Sequence, residues 1–268
     1  MRRQTGRLES RWTAINGLPI HYRVSIDPVL PERLPVILVH GQVASSRYMV
    51  PIAEHLAPDF QVYAPDLPGF GKSGKPPHTL NIIELADALA AWMAQLGLDR
   101  AHLIGNSLGC NILVEFALHH GERIECLVLQ GPPTDPTART VFQQVGRWLR
   151  NSQREPSMGS ILIKDYAAAG LWRAVQTFRY LLQHRIEARL PAVQAPTLVV
   201  RGTRDPIVPL AWTCQAADLL SQGRLIEIPG AAHTIDYFAP RQFARVLRVF
   251  FGLSPLTTKA PELNLDHA

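Results

Sequence analysis

Cysteine is scarce in this chain: Cys110, Cys126 and Cys214 are the only three among 268 residues. An odd number, with no Cys-x-x-Cys couple, excludes a disulfide-stapled scaffold. The three fit a reducing compartment, each as a small buried apolar residue. Long hydrophobic runs are also missing, and none approaches the roughly 18 residues needed to cross a bilayer. Met1–Leu8 carries charge with no apolar segment behind it, so no secretory leader is read. The expectation is a soluble, cytoplasmic protein without stable membrane insertion. There is no acidic excess; the formal net charge is +5. The positive excess is local, because residues 132–190 hold nine Lys and Arg against four Asp and Glu, while the remainder holds 18 of each sign. No aromatic–basic ladder accompanies it, which excludes a nucleic-acid partner. Internal repeats and low-complexity tracts are absent. No metal and no cofactor are expected, and the partner expected is a small-molecule substrate.

What the chain does have is alternation. Trp12–Ala14 and Ile20–Ser25 read as strands around Asn16–Gly17, a strong hairpin signal. Val36–Val39 is a continuous apolar run, as in an inner strand covered on both faces. Ser46–Ala57 reads as a helix and Phe60–Ala64 as a strand. Ile82, Leu85, Ala86, Leu89, Trp92, Met93 and Leu96 recur at helical spacing, with Asn81 and Glu84 as a capping pair and Gly97 as the stop. Ala101–Ile104, Ile124–Leu129, Thr197–Val200 and Leu225–Ile228 are further buried strands. Helices are expected near 210–220 and 241–251. Strands alternating with helices predict an α/β protein with a mostly parallel, doubly wound sheet flanked by helices.

One segment breaks the alternation. Residues 132–190 read as helices only, with one apolar stripe of Val141, Phe142, Val145, Trp148 and Leu149 and another of Leu171, Val175, Phe178 and Leu182. This predicts a helical cap, 132–190, over a core made of 1–131 and 191–251, followed by a loose tail, 252–268. The stripes are expected to pack on the core or on each other. Part of that surface, with Phe142, Trp148, Trp172 and Phe178, is expected to line a pocket. Arg139, Arg147, Arg150 and Arg154 lie mainly opposite the first stripe and are expected to face solvent.

The chemistry centres on Gly105–Asn106–Ser107–Leu108–Gly109, between a buried strand and a helix. A serine at such a corner is pushed into the open above the sheet, and the flanking glycines leave room for the sharp turn. An ordinary Gly-rich turn would carry the same letters, so the partners matter. A serine hydroxyl needs a base, and the base needs an orienting carboxylate. Most histidines fall on predicted helices, in a loop or in the tail. His233 lies in a small-residue loop directly after a buried strand. Asp205 also follows a strand end directly; its other reading is a cap on the next turn. Asp135 is the reserve acid, and Asp236 is too near His233 to orient it from behind. The backbone N–H groups of Leu108 and Gln42 are positioned to hold an oxyanion.

His40–Gly41–Gln42, Asp66–Ser73, the Ser107 elbow, the Asp205 loop and the His233 loop, in that order, make residues 18–251 resemble the α/β-hydrolase superfamily. The resemblance implies a Ser107–His233–Asp205 triad cleaving esters of small to medium apolar acyl or aryl groups. It is unlike the haloalkane dehalogenases and epoxide hydrolases of this fold, whose nucleophile is an aspartate. Asn106 before the serine resembles the meta-cleavage-product C–C bond hydrolases and marks Asn106 as a substrate contact. Those enzymes usually carry Trp after the histidine, where this chain has Thr234. A carboxylesterase-like serine hydrolase leads, a C–C bond hydrolase follows, and a non-catalytic ligand-binding member is third.

Overall fold

A computed structural model describes residues 6–27 and 32–253. Apart from its first two residues, the 252–268 tail anticipated from sequence lies outside the described residues. The first strands, β1 (Leu8–Ile15) and β2 (Leu18–Ser25), form a hairpin. At its turn Asn16 and Gly17 both take positive φ, 50° and 80°, as a two-residue hairpin turn demands. The pairing runs longer than the sequence suggested, because the polar positions of β1 face solvent. The chain then alternates: β3 (Val36–Val39), α1 (Val50–Leu56), β4 (Val62–Pro65), α2 (Ile82–Gln95), β5 (Ala101–Asn106), α3 (Leu108–His119) and β6 (Ile124–Gln130). Four helices follow: α4 (Val141–Arg154), α5 (Met158–Ala169), α6 (Leu171–Gln183) and α7 (Ile186–Arg189). The chain closes with β7 (Thr197–Gly202), α8 (Leu210–Leu219), β8 (Gly223–Ile228), α9 (Ile235–Phe238) and α10 (Pro240–Phe250).

The eight strands form one sheet in the order β1-β2-β4-β3-β5-β6-β7-β8. β1 and β2 are antiparallel; every pair from β4 to β8 is parallel. This is the mostly parallel, helix-flanked sheet expected. The inner strands are apolar at every position because both faces are covered. Ile37, Leu103, Leu127 and Val199 pack with α2, α3 and α8. Their neighbours Leu38, Ile104, Val128 and Leu198 pack with α1 and α10 on the other face. Truncating one of these to alanine leaves a cavity and costs roughly 2–5 kcal/mol.

Local signals set several boundaries. Asn81 Oδ1 accepts from the Glu84 N–H at 3.0 Å and the Glu84 carboxylate accepts from the Asn81 N–H at 2.7 Å, which starts α2. α1 begins later than the Ser46 expected, with Pro51 in its first turn and residues 46–49 held in turns. The cysteines also differ from expectation: Cys110 is buried, Cys126 partly so and Cys214 exposed.

The largest correction concerns α4. Its apolar stripe was expected to pack inward, yet Val141, Phe142, Val145, Trp148 and Leu149 are all exposed. The buried positions are polar, Gln144 and Asn151. Hydrogen bonding decides the orientation, since the seat under α4 is polar. Gln144 donates to the Ala138 carbonyl. Arg147 reaches the Ile207 carbonyl at 3.1 Å and Asp135 at 2.8 Å. Asn151 donates to Glu155 at 2.6 Å, and Glu155 in turn accepts from the Thr234 N–H and hydroxyl, each at 2.7 Å. Arg147 and Arg139 therefore do not face solvent freely; Arg139 pairs with Glu187.

Candidate active site

Parallel strands deliver their C-terminal ends to one edge of the sheet, and the loops there carry the reactive residues. Ser107 joins β5 directly to α3 with φ 52° and ψ −119°. A positive φ at a non-glycine residue is strained, by about 1–3 kcal/mol, and recurs where a side chain must be presented. The turn is possible because its neighbours lack side chains. A Cβ on Gly109 would lie 2.4 Å from the Val39 carbonyl oxygen, and one on Gly105 would lie 2.6 Å from the Gly109 backbone.

His233 sits in the loop between β8 and α9, and Asp205 in the loop after β7. Their side chains meet: His233 Nδ1 is 2.8 Å from Asp205 Oδ2. The other Asp205 oxygen accepts from the Ile207 and Val208 N–H groups at 2.7 and 3.1 Å, which fixes the carboxylate. A carboxylate can only accept, so Nδ1 carries the proton and Nε2 presents a lone pair. That Nε2 is buried and has no hydrogen-bond partner. His233 and Ser107 line the same cavity. Burial pulls the imidazole pKa down, but the charge and hydrogen bond of Asp205, with Glu155 adding, raise it above its ordinary 6.5.

The other two acids are engaged differently. Asp135 pairs with Arg147 and accepts from Thr137 N–H and hydroxyl, so it anchors α4. Asp236 is buried, and among the described residues neither carboxylate oxygen has a partner of good hydrogen-bond geometry, only the nearby backbone amides of Asp236 and Tyr237. Burial pushes its pKa up to about 8, with the Glu155 charge adding.

The N–H of Leu108 opens α3 and has no intrahelical acceptor. The N–H of Gln42, in the turn after β3, donates to no protein group among the described residues. Gly41, one residue earlier, donates instead to the Tyr48 hydroxyl at 2.6 Å. That bond begins a buried chain with a fixed direction. The Gly41 N–H can only donate, so the Tyr48 proton goes to Asn106 Oδ1 at 2.8 Å. Asn106 then donates through Nδ2 to Gln130 Oε1 at 2.6 Å, and Gln130 donates to the His233 carbonyl. Burial raises the Tyr48 phenol well above its ordinary range, so it stays a donor.

These groups border a cavity of about 730 Å³. Its walls include Gln42, Asn106, Ser107, Trp148, His233 and Thr234, with Met158, Leu162, Ile163 and Tyr166 from α5. Among the described residues no Lys or Arg lines it; Glu155 and His233 are its charged-type side chains. Of the aromatic contacts expected from the helical segment, Trp148 alone reaches the wall. Phe142 and Trp172 are 90% and 72% exposed, because their helices turn those faces outward. Phe178 packs instead against the core cluster beneath α6.

Sequence reasoning passed over four residues. Tyr48 stood inside a presumed helix. Gln130 carried a readable signal, a polar residue at the end of an otherwise apolar strand. Glu155 had none, since its partner Thr234 is 79 residues away. Gly131 takes φ 62°, and a Cβ there would press within 2.9 Å of the His233 ring.

Residues 35–172, just over half of the chain, match the family model described as alpha/beta hydrolase fold. The chain belongs to the alpha/beta hydrolase family. Residues 177–242 also match a family described as TAP-like protein. RutD of Caulobacter sp. (strain K31), named a carbamate hydrolase, is 25% identical, covering 93% of this chain and 98% of its own length. The 2-hydroxy-6-oxo-6-phenylhexa-2,4-dienoate hydrolase of Burkholderia cepacia is 28% identical over 81% of this chain and 87% of its own. Among solved structures, the enol-lactonase of Burkholderia xenovorans LB400 superposes with a TM-score of 0.75 at 21% identity, covering 90% of this chain and 99% of that one. At that identity the likeness is one of fold, and the fold hosts many chemistries.

Proposed function

We propose that this alpha/beta hydrolase is a serine hydrolase of uncharged carboxylic esters with small to medium apolar acyl or aryl groups. The observation that carries the reading is that His233 lines one cavity with Ser107, its Nδ1 held by Asp205 and its Nε2 without a hydrogen-bond partner among the described residues. In this mechanism Ser107 Oγ attacks the acyl carbon as Nε2 takes its proton. Asp205 stabilises the imidazolium. The N–H groups of Gln42 and Leu108 hold the oxyanion, each donor contributing about 10²-fold or more. His233 then protonates the leaving alcohol, and the same nitrogen activates the water that releases the acid. Residues 132–190 serve as a cap that walls the site with Trp148 and α5.

Neutral substrate is favoured because, among the described residues, the cavity offers no Lys or Arg to an anion, and Glu155 repels one. This weighs against a C–C bond hydrolase acting on a dienoate, which Asn106 and the Burkholderia cepacia relative would otherwise favour. The test is a side-by-side assay of p-nitrophenyl esters and a dienolic acid, with fluorophosphonate labelling mapped by mass spectrometry. Ester turnover with the label on Ser107 is expected. Turnover of the dienolic acid alone would sink the ester reading, and an unlabelled Ser107 during ester cleavage would sink the mechanism.

A further inference from the structure

Helix α4 is inside out by the standard of a surface helix, which buries its apolar stripe and shows its polar face to water. Here the polar face is consumed by the seat below it, and Val141, Phe142, Val145 and Leu149 stand in solvent. The stripe leads to the mouth of the catalytic cavity. Trp148, on its edge, lines the cavity while remaining exposed, and so does Ile163 of α5, which is 71% exposed. Nine of the fifteen large hydrophobic side chains exposed among the described residues lie on α4, α5 and α6. A clustered apolar surface of this kind marks an interaction site.

Charge identifies the occupant. Within residues 132–190 every carboxylate is spent: Asp135 and Glu187 pair with arginines, and Glu155 and Asp165 are buried. The exposed charges are therefore cationic: Lys164 follows Ile163 on α5 and Arg179 shares α6 with the exposed Trp172 and Val175, while Arg150 and Arg154 lie mainly on the other side of α4 from the stripe. An apolar stripe on a basic segment fits an anionic bilayer surface, with the stripe in the headgroup boundary and the cations near lipid phosphates. Among the described residues no helix is long and apolar enough to cross a membrane, so the contact is peripheral. We propose that the outward face of α4, with Ile163 of α5, docks on anionic phospholipid surfaces and seats the cavity mouth against them. Apolar esters would then enter from the lipid side. That last step rests on the esterase reading; the docking does not.

The experiment is co-sedimentation of the full chain with vesicles of phosphatidylcholine alone or mixed with phosphatidylglycerol, without substrate. Binding to the anionic vesicles is expected to exceed that to neutral ones at least tenfold, and to weaken severalfold between about 0.05 and 0.5 M salt. Phe142→Asp with Leu149→Asp should cut anionic-vesicle binding at least tenfold. Neither residue lines the cavity, so turnover of a water-soluble acetyl ester by that variant should equal wild type, which also reports folding. Equal binding to both vesicle types, or binding indifferent to the double substitution, would overturn the proposal. So would a wild-type dimer in sedimentation velocity that the double variant disperses, because the face would then be covered by a second copy. The vesicle and sedimentation readouts do not need the ester assay; if that assay fails, circular dichroism of the double variant reports folding in its place.

Discussion

Three side chains carry the proposed chemistry, and each predicts a different signature. Ser107→Ala removes the proposed attacking oxygen, so kcat should fall by about 10⁴–10⁶-fold while the protein stays folded, as measured by steady-state turnover and circular dichroism. Asp205→Asn keeps the shape but loses the charge that fixes the Nδ1 proton, and should lose roughly 10³–10⁴ in kcat. The pH profile separates the two roles. Catalysis needs neutral His233, whose pKa is raised above 6.5, so activity should fall as pH drops through a midpoint above 6.5. Removing the Asp205 charge should move that midpoint down. A midpoint unchanged in Asp205→Asn would mean that another group controls the acid limb. That these three residues would converge was legible because each stands directly after a buried apolar strand, and a parallel sheet sends every such end to one edge. Asp135 stands after a strand as well. Only the position of Arg147 explains why it does not reach His233.

At the scale of elements, the inner strands were readable because burial on both faces leaves no polar position to confuse the period. Helix α4 was readable as a helix and unreadable in orientation. Apolar periodicity assigns the stripe to the interior on the assumption that the interior is apolar. The seat under α4 is built instead from Asp135, the Ile207 carbonyl and Thr234, partners distant in sequence. Glu155 joins α4 to the loop of the base, which makes it a positioning residue. Glu155→Gln can still bond Asn151 and Thr234 but withdraws a negative charge from His233. It should leave KM nearly unchanged and lower the acid-limb midpoint, whereas Glu155→Ala should also reduce kcat by about 10-fold or more through a displaced loop. Equal pH profiles for wild type and Glu155→Gln would remove the electrostatic part of this role.

The whole molecule carries one large pH-dependent liability. Asp236 is held protonated by burial, with a pKa of about 8 against an unfolded value near 3.9. Between those values the folded chain binds a proton that the unfolded chain releases, so this group's contribution to stability falls as pH rises from about 4 to 8. Asp236→Asn should therefore raise Tm clearly at about pH 8 and little at about pH 4, read by thermal melts across pH. A larger gain at acid pH would reverse the sign and place the ionised form in the native state. The buried chain from Gly41 through Tyr48, Asn106 and Gln130 to His233 also belongs to this scale, since it crosses from the oxyanion turn to the base loop. Its bonds all point one way. A substitution that removes one link leaves the donor before it without an acceptor and the acceptor after it without a donor. Lineages descended from this sequence should therefore keep positions 48, 106 and 130 unchanged or exchange them as a set, so that the three behave in inheritance as a single character.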